Sequence, residues 1–481
     1  MKKYLICLLA LITVGVCQAE DINIRFDGAV AKVKQNVKDS VNVTVNGANV
    51  SIESLYKAHK LTISVTGKSD DGQITLKSDG KAKMRLDGLN LTSQEGAPLD
   101  LRNKKKVEVE AVKGTENTLT ITACNDTASH KAAVIWAKDK LLLSGKGTLN
   151  IIATGDGCRG IKTKKDITIE DLTLNVTTSG DNLGEKPFGF GGFPGFGGEM
   201  PDFANFPMPD FGGGFPGGGF PNFGAMRSEE NDSTSESDFG GFGGFAGKHK
   251  YVASTKGIAS KGKIIINSGN VTVKTSTAGA EGIEGKEGIV LNGGNVDVLA
   301  TDDAINANAT IEFNGAHVIA RSIGNDAVDS NPKGGFFMPF GGNNEQDTEP
   351  AIVIKGGTVY AWSQVGSPEE GLDCDFAPLV VEGGTIFSVG GGMGEMPSVP
   401  SNENAKQPTA LLLGLNIVKD EPVCIYDSNG KLIDKVTVPF SLRRSASLVG
   451  SPAFKIGNSY TVKTKGYEKT FTLNEPFTTV R

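Results

Sequence analysis

Acidic side chains recur in this chain at positions that a repeating backbone could bring together. The octet TDDAINAN (301–308) sets Asp302 beside Asp303, with Asn306 three residues further on. Related hexapeptides read RGIKTK (159–164), KGIASK (256–261), EGIEGK (281–286), DAVDSN (326–331) and EGLDCD (370–375). Glu281, Asp303, Asp326 and Glu370 each stand immediately before a Gly or Ala. Glu284, Asn306, Asp329 and Asp373 each follow the aliphatic residue, with Asp375 close by. Taken alone, Asp302 and Asp303 could be an acid/base pair; taken in series, the acids form two columns. Like charges ~5 Å apart repel by nearly 1 kcal/mol per pair even at the dielectric constant of water. Such columns persist either as polar turn punctuation fanned into solvent or by holding a divalent cation between turns. Oxygen-only donors suit calcium. Calcium is therefore the expected cofactor, with ligands drawn from Glu281, Glu284, Asp303, Asp326, Asp329, Glu370 and Asp373.

A second series follows each hexapeptide: SGNVTV (268–273), GGNVDV (293–298), GAHVIA (315–320), GGTVYA (356–361) and GGTIFS (383–388). Set in register, its outward positions run Thr272, Asp297, Ile319, Tyr360, Phe387 and, beside them, Lys274, Leu299, Arg321, Trp362, Val389. The late turns thus carry an aromatic strip of Tyr360, Trp362 and Phe387 next to Arg321. Flat aromatic faces suit sugar rings, so these four residues are the candidate carbohydrate contacts. The alternative is that an insertion or the C-terminal region covers the strip. Trp136, in AAVIWAKD, is expected near the wall of the fold rather than in a ligand site.

Other chemistries find less support. Four histidines share no spacing and no HExxH occurs, which argues against zinc. No GxSxG nucleophile motif appears. Fifty-five carboxylates make any single pair a poor glycosidase argument. A net charge of −6 leaves no basic footprint for nucleic acid. The N-terminus, MKKYLICLLALITVGVCQA, reads as a signal peptide over residues 1–19, by cleavage after Ala19 rather than lipidation at Cys17. No later segment is apolar enough for a membrane span. The expectation is therefore a secreted protein, extracellular, surface-bound or periplasmic. Cys124, Cys158, Cys374 and Cys424 would then either pair as disulfides or remain small buried residues.

The elements that must position these residues follow from the period. Gly257 to Gly282 is 25 residues, on to Ala304 is 22, and on to Ala327 is 23. Short runs of alternating aliphatics, separated by Gly, Asn and Asp, fill each interval. Runs this short at so constant a period fit a coil in which each strand pairs with its equivalent one turn later. That is an all-β, right-handed parallel β-helix, a solenoid of about a dozen turns and ~60 Å at ~4.8 Å per turn. Val271, Val296, Val318, Val359 and Ile386 would stack in one interior column, and Ile258, Ile283, Ile305, Val328 and Leu372 in another. The β-helix spans 20–407. It is interrupted by a Gly/Phe-rich insertion at 187–247, holding more than half of the chain's 24 phenylalanines, and a shorter one at 332–349. The first reads as a flexible loop, with surface adhesion or self-association as its functional alternative. After Gln407 the register is lost, and residues 408–481 read as a small antiparallel β unit that caps the final turn.

Turns reading GI…GK…GGNVDV…DDAINA…GNDAVDSN, with Phe/Gly/Pro-rich insertions and an SLRRSASLVGSPAFKIGNSYTV tail, resemble the secreted bacterial carbohydrate-binding β-helix proteins. The resemblance covers about residues 40 to 475 and implies a fold like that of pectate-lyase-type polysaccharide lyases. It implies a non-catalytic binder of cellulose or of an acidic plant polysaccharide such as polygalacturonate, with calcium held by acidic loop residues. The matching acids are Asp302, Asp303, Asp326, Asp329 and Asp373; Asn306 and Cys374 depart from the pattern. Asp302 is thus a metal ligand by resemblance, while the repeat itself assigns it no role. A calcium-dependent polysaccharide lyase, with Lys256, Lys261, Lys286 or Arg321 as base, and a surface adhesin are the competing expectations.

Overall fold

The computed structural model describes residues 21–481 apart from 38, 58, 125–131, 187–249, 333–348, 375–376 and 392–396. Residues 1–19, where a signal peptide is expected, the Gly/Phe-rich insertion, nearly all of the shorter insertion and Asp375 lie outside the described residues.

Every regular element among the described residues is a β-strand. The central turns each hold three strands, as in Ile283–Gly285, Ile289–Leu291 and Asn295–Ala300, followed by Ile305–Ala307, Ile311–Phe313 and His317–Ser322. Each strand pairs in parallel with its equivalent one turn on. Ile258 meets Ile283, Ile283 meets Ile305, Ile305 meets Val328, and Val328 meets Leu372. On another face Val271, Val296, Val318, Val359 and Ile386 follow one another in register. Both expected interior columns are present, and all of these side chains are buried. The molecule is a parallel β-helix. One face is an 11-stranded sheet and the other two belong to a 23-stranded sheet. No single turn buries enough apolar surface to fold alone, so stacked aliphatic ladders supply the core.

Turn residues match the space available. A Cβ on Gly257 would lie 2.4 Å from a Val273 methyl, and one on Gly282 would lie 2.4 Å from a Val298 methyl. One turn later the repeat carries Ala304 instead of glycine, and the position in register with Val298 is Ala320. The smaller partner makes room for the extra methyl.

The two ends differ from the middle. At the start, Ile22–Asp27 and Val30–Gln35 form an antiparallel hairpin laid against Leu61–Ser69. At the far end, Thr409–Ile417 and Leu442–Gly450 pair antiparallel, and Ile386 and Phe387 of the last long strand join Leu442–Gly450. A separate four-stranded antiparallel sheet, containing Pro422–Asp427, Leu432–Thr437, Ser459–Thr464 and Tyr467–Thr472, packs over this end. Cys158, Cys374 and Cys424 are thiols rather than disulfide halves. Burial, with the nearby Cys124 and Asp156, pushes the Cys158 thiol up to about 12, so it stays protonated and inert.

Candidate functional site

The 11-stranded face carries its chemistry on two outward columns. Because strands alternate, the residue after each buried aliphatic points away from the core. In register these residues are Asp100, Trp136, Lys162, Ala259, Glu284, Asn306, Asp329 and Asp373. A second column precedes each Gly or Ala. Its backbone bonds run from Gly160 to Lys256, Gly257 to Glu281, Gly282 to Asp303, Ala304 to Asp326 and Ala327 to Glu370. With Arg159 at the head, it reads Arg159, Lys256, Glu281, Asp303, Asp326, Glu370. The face therefore changes sign along the solenoid, from basic in the turns of Arg159, Lys162 and Lys256 to acidic in the later ones. Trp136 is buried against Ala97 and Ala133, in the wall of the coil.

At the change of sign the charges neutralise each other. Lys256, which is 3% exposed, lies 3.0 Å from Glu281 and 2.8 Å from Glu284, and Lys286 lies 2.6 Å from Glu284. Burial alone would raise the Glu284 carboxyl, but Lys256, Lys286 and Arg159 hold it down at about 2. Glu281 and Glu284 were expected among the metal ligands; they are instead the acidic half of a buried ion-pair network. The basic half had a signal in the repeat, since Arg159 and Lys256 fill the motif position that Glu281, Asp303 and Asp326 fill later.

Further along, carboxylates meet carboxylates. Asp303, Asp326 and Asp329 are buried, and Asp373 is half-buried. Asn306 donates from Nδ2 to Asp303 Oδ2 at 2.8 Å and to Asp329 Oδ2 at 3.1 Å. It is the neutral rung that lets two carboxylates stand on either side of it. Asn331 donates to both oxygens of Asp329 at 3.0 Å. The Asp326 amide donates to Asp303 Oδ1 at 3.2 Å, and the Glu370 amide donates to Asp326 Oδ1. Burial pushes the Asp326 carboxyl well above the ordinary range, and the fields of Asp373, Asp303 and Asp329 add to the rise. Glu370 turns elsewhere, accepting from the Ser398 amide at 2.7 Å. Asp302 is a turn brace: its Oδ1 accepts from Asn325 Nδ2 at 2.9 Å and its carbonyl accepts from Ser322 Oγ at 2.7 Å.

The donor chemistry of this stretch, hard oxygens removed from water, fits calcium. Its geometry is that of an open column. Among the described residues no three or more Asp, Glu, His or Cys side chains are gathered closely enough to enclose a metal ion.

The aromatic strip is corrected by the structure. Trp362 and Phe387 are 4% and 1% exposed, buried against Leu412, Ile417, Val449 and other side chains of the C-terminal unit. Tyr360 stacks on Trp362 at 6.0 Å and donates its hydroxyl to Asp434 Oδ1 at 3.1 Å. Burial raises the Tyr360 hydroxyl, and Asp434 raises it further. Arg321 is bonded to Asp297 on the preceding turn. Tyr360, Trp362 and Phe387 anchor the cap to the coil, and with Arg321 tied to Asp297 the four do not form an open sugar platform. Burying this much aromatic surface is worth several kcal/mol, more than an exposed platform could recover from water.

A family model described as "Carbohydrate-binding domain-containing protein" matches residues 46–186, 224–327 and 253–411. A relative of the same description from Acetivibrio thermocellus is 29% identical over 145 residues, which is 29% of this chain and 50% of the relative. The chain thus spans about half the length of the curated relative it matches. A solved structure described as the polysaccharide lyase-like protein from C. thermocellum, gadolinium derivative, aligns with a TM-score of 0.41 and 19% identity, over 63% of this chain and 92% of that one.

Proposed function

This chain belongs to the carbohydrate-binding domain-containing protein family, and from that premise we propose that it is an exported, non-catalytic polysaccharide-binding solenoid stabilised by calcium. Cellulose or an acidic glycan such as polygalacturonate is its ligand. The observation that carries the calcium reading is the stack of Asp303, Asp326, Asp329 and Asp373 on consecutive turns, where burial and mutual repulsion raise Asp326. Calcium lodged there would bridge Asp326 to one neighbouring carboxylate of the open column, Asp303 or Asp373. When bound it would offset their repulsion and could also engage a uronate carboxylate, which this acidic stretch would otherwise repel.

The residues of this chain support binding over elimination. A lyase base must shed its proton near neutral pH. Lys256 and Lys286 are ion-paired to Glu281 and Glu284, which favours their charged forms. Arg321 is tied to Asp297, and Lys261 is exposed to solvent. Among the described residues, no helix is long and apolar enough to cross a membrane.

The test has two arms. Pull-down on insoluble cellulose and on pectin, with and without chelator, should retain the protein, whereas retention on neither would favour an adhesin. Incubation with polygalacturonate and calcium should release no unsaturated product absorbing in the ultraviolet; its appearance would overturn the non-catalytic reading. Calcium should raise the melting temperature of the wild type but not of Asp326→Asn. An equal rise in both would remove the metal from this ladder.

A further inference from the structure

The opposite end of the solenoid carries a feature that the acidic ladder does not explain. In the N-terminal hairpin, alternation buries Ile22, Ile24 and Phe26 and turns Asn23 and Arg25 outward. Pairing sets Asn23 opposite Lys34 and Arg25 opposite Lys32, and on the other side Asn23 beside Ser64 and Arg25 beside Thr66. The outer surface therefore holds two parallel rows, Lys34–Asn23–Ser64 and Lys32–Arg25–Thr66. Neighbours within a row stand ~4.8 Å apart, and the rows lie about 6.8 Å apart, two residues along a strand. These six residues, with Ile24 and Val33, line a cleft of about 280 Å³. That is just below the roughly 300 Å³ at which pockets for drug-sized ligands begin, and it suits one or two sugar rings.

The charge in this cleft is unbalanced. Lys32 pairs with Asp27 at 2.6 Å, but both side chains are more than 60% exposed, so the pair is weak. Among the described residues neither Arg25 nor Lys34 forms an ion pair. Further along the same face the cations are matched: Lys83 lies 2.9 Å from Glu108 and 3.0 Å from Glu110, and Arg85 lies 2.9 Å from Glu110. In a chain of net charge −6, three cations gathered around a cleft are a local reversal of sign. Lysines on an edge strand also discourage edge-to-edge pairing. That role accounts for Lys32 and Lys34 on the outermost strand, but not for Arg25 on the inner strand or for the hydroxyl and amide groups between the cations.

We infer that this cleft binds one or two acidic sugar residues of a polysaccharide directly, without calcium. The Arg25 guanidinium presents a fork that matches a carboxylate, and the Lys34 and Lys32 ammonium groups neutralise its neighbour. Asn23, Ser64 and Thr66 supply donors and acceptors for ring hydroxyls. The inference rests on the polysaccharide-binding reading and gives it a second contact, ~38–48 Å along the coil from the acidic ladder at eight to ten strand spacings of ~4.8 Å. Two contacts on one rigid coil would let a long chain engage both, and the gain in avidity needs no new interaction.

The test is titration of trigalacturonate into the full-length protein in chelator, followed by calorimetry, with cellotriose as the neutral control. Trigalacturonate should bind, weaken with added salt, and lose at least ~10-fold in affinity in an Arg25→Gln/Lys34→Gln variant. Both residues are exposed, so the variant should melt like the wild type, and Arg25→Lys should retain part of the affinity. Equal affinity for cellotriose, or unchanged affinity in the double variant, overturns the inference. So does a variant that keeps its affinity but self-associates, since the cations are then edge guards only. Wild type that binds pectin with calcium but not trigalacturonate in chelator sinks this site and leaves the proposed function standing. Wild type that binds no glycan under either condition sinks both.

Discussion

A single amide decides how the acidic ladder is tolerated. Asn306 bonds to Asp303 and Asp329 at once, so it contributes two charge-assisted hydrogen bonds where a third carboxylate would add repulsion. Its departure from the acidic pattern, which the repeat shows as a flaw in a metal site, is what allows its neighbours to remain buried. Asn306→Ala should lower stability by about 3 kcal/mol, given roughly 1.5–3 kcal/mol for a hydrogen bond to a charged group, as read from urea unfolding at neutral pH. A second residue sets the acid response. Glu284 titrates at about 2 in the folded chain against an ordinary 4.5, so the folded state binds its proton less readily than the unfolded state. Its contribution is complete above pH ~4.5 and is lost as the pH falls toward 2. Glu284→Gln should therefore be destabilised at pH 7 and should show a flatter decline in melting temperature between pH 4.5 and 2. A decline as steep as that of the wild type would mean the network carries no net stability. The columns were legible in the repeat, but the partner of each acid was not, because which oxygen meets which nitrogen depends on side-chain rotamers.

At the level of the strand, the repeat was readable because the same physical constraint recurs every turn. An aliphatic residue must face inward at Ile258, Ile283, Ile305, Val328 and Leu372, and a small residue must precede it where the next turn's backbone passes close. The exchange of Gly282 with Val298 for Ala304 with Ala320 predicts a specific compensation. Gly282→Ala should cost about 1–3 kcal/mol through overpacking, and Val298→Ala in the same chain should return part of it. Two costs that simply add would show that the valine methyl is not the obstacle. The aromatic strip marks where strand-level reasoning stops. Alternation correctly turns Tyr360, Trp362 and Phe387 out of the coil, yet outward from the coil is not outward to water once a second unit packs there.

For the whole molecule, the C-terminal unit is a cover joined to the last turn by backbone pairing through Phe387 and by the apolar cluster around Trp362. A chain ending at residue 407 should expose this surface and the unpaired final strand edge, and should aggregate in light scattering where the full chain stays monodisperse. An equally soluble truncated chain would show the unit to be an appendage. The amino-acid sequence by itself determined the architecture, because a solenoid's period, its aliphatic ladders and its turn glycines are nearest-neighbour requirements repeated along the chain. It also placed the acids of one face on adjacent turns. Only the tertiary structure decided which of them are neutralised by Lys256 and Lys286, which are separated by Asn306, and which aromatics lie beneath the cap. It likewise set Arg25, Lys32 and Lys34 around a cleft with Ser64 and Thr66. Those outcomes depend on which side chain meets which, within a turn, between turns and across to the C-terminal unit, and the repeat does not specify those partners.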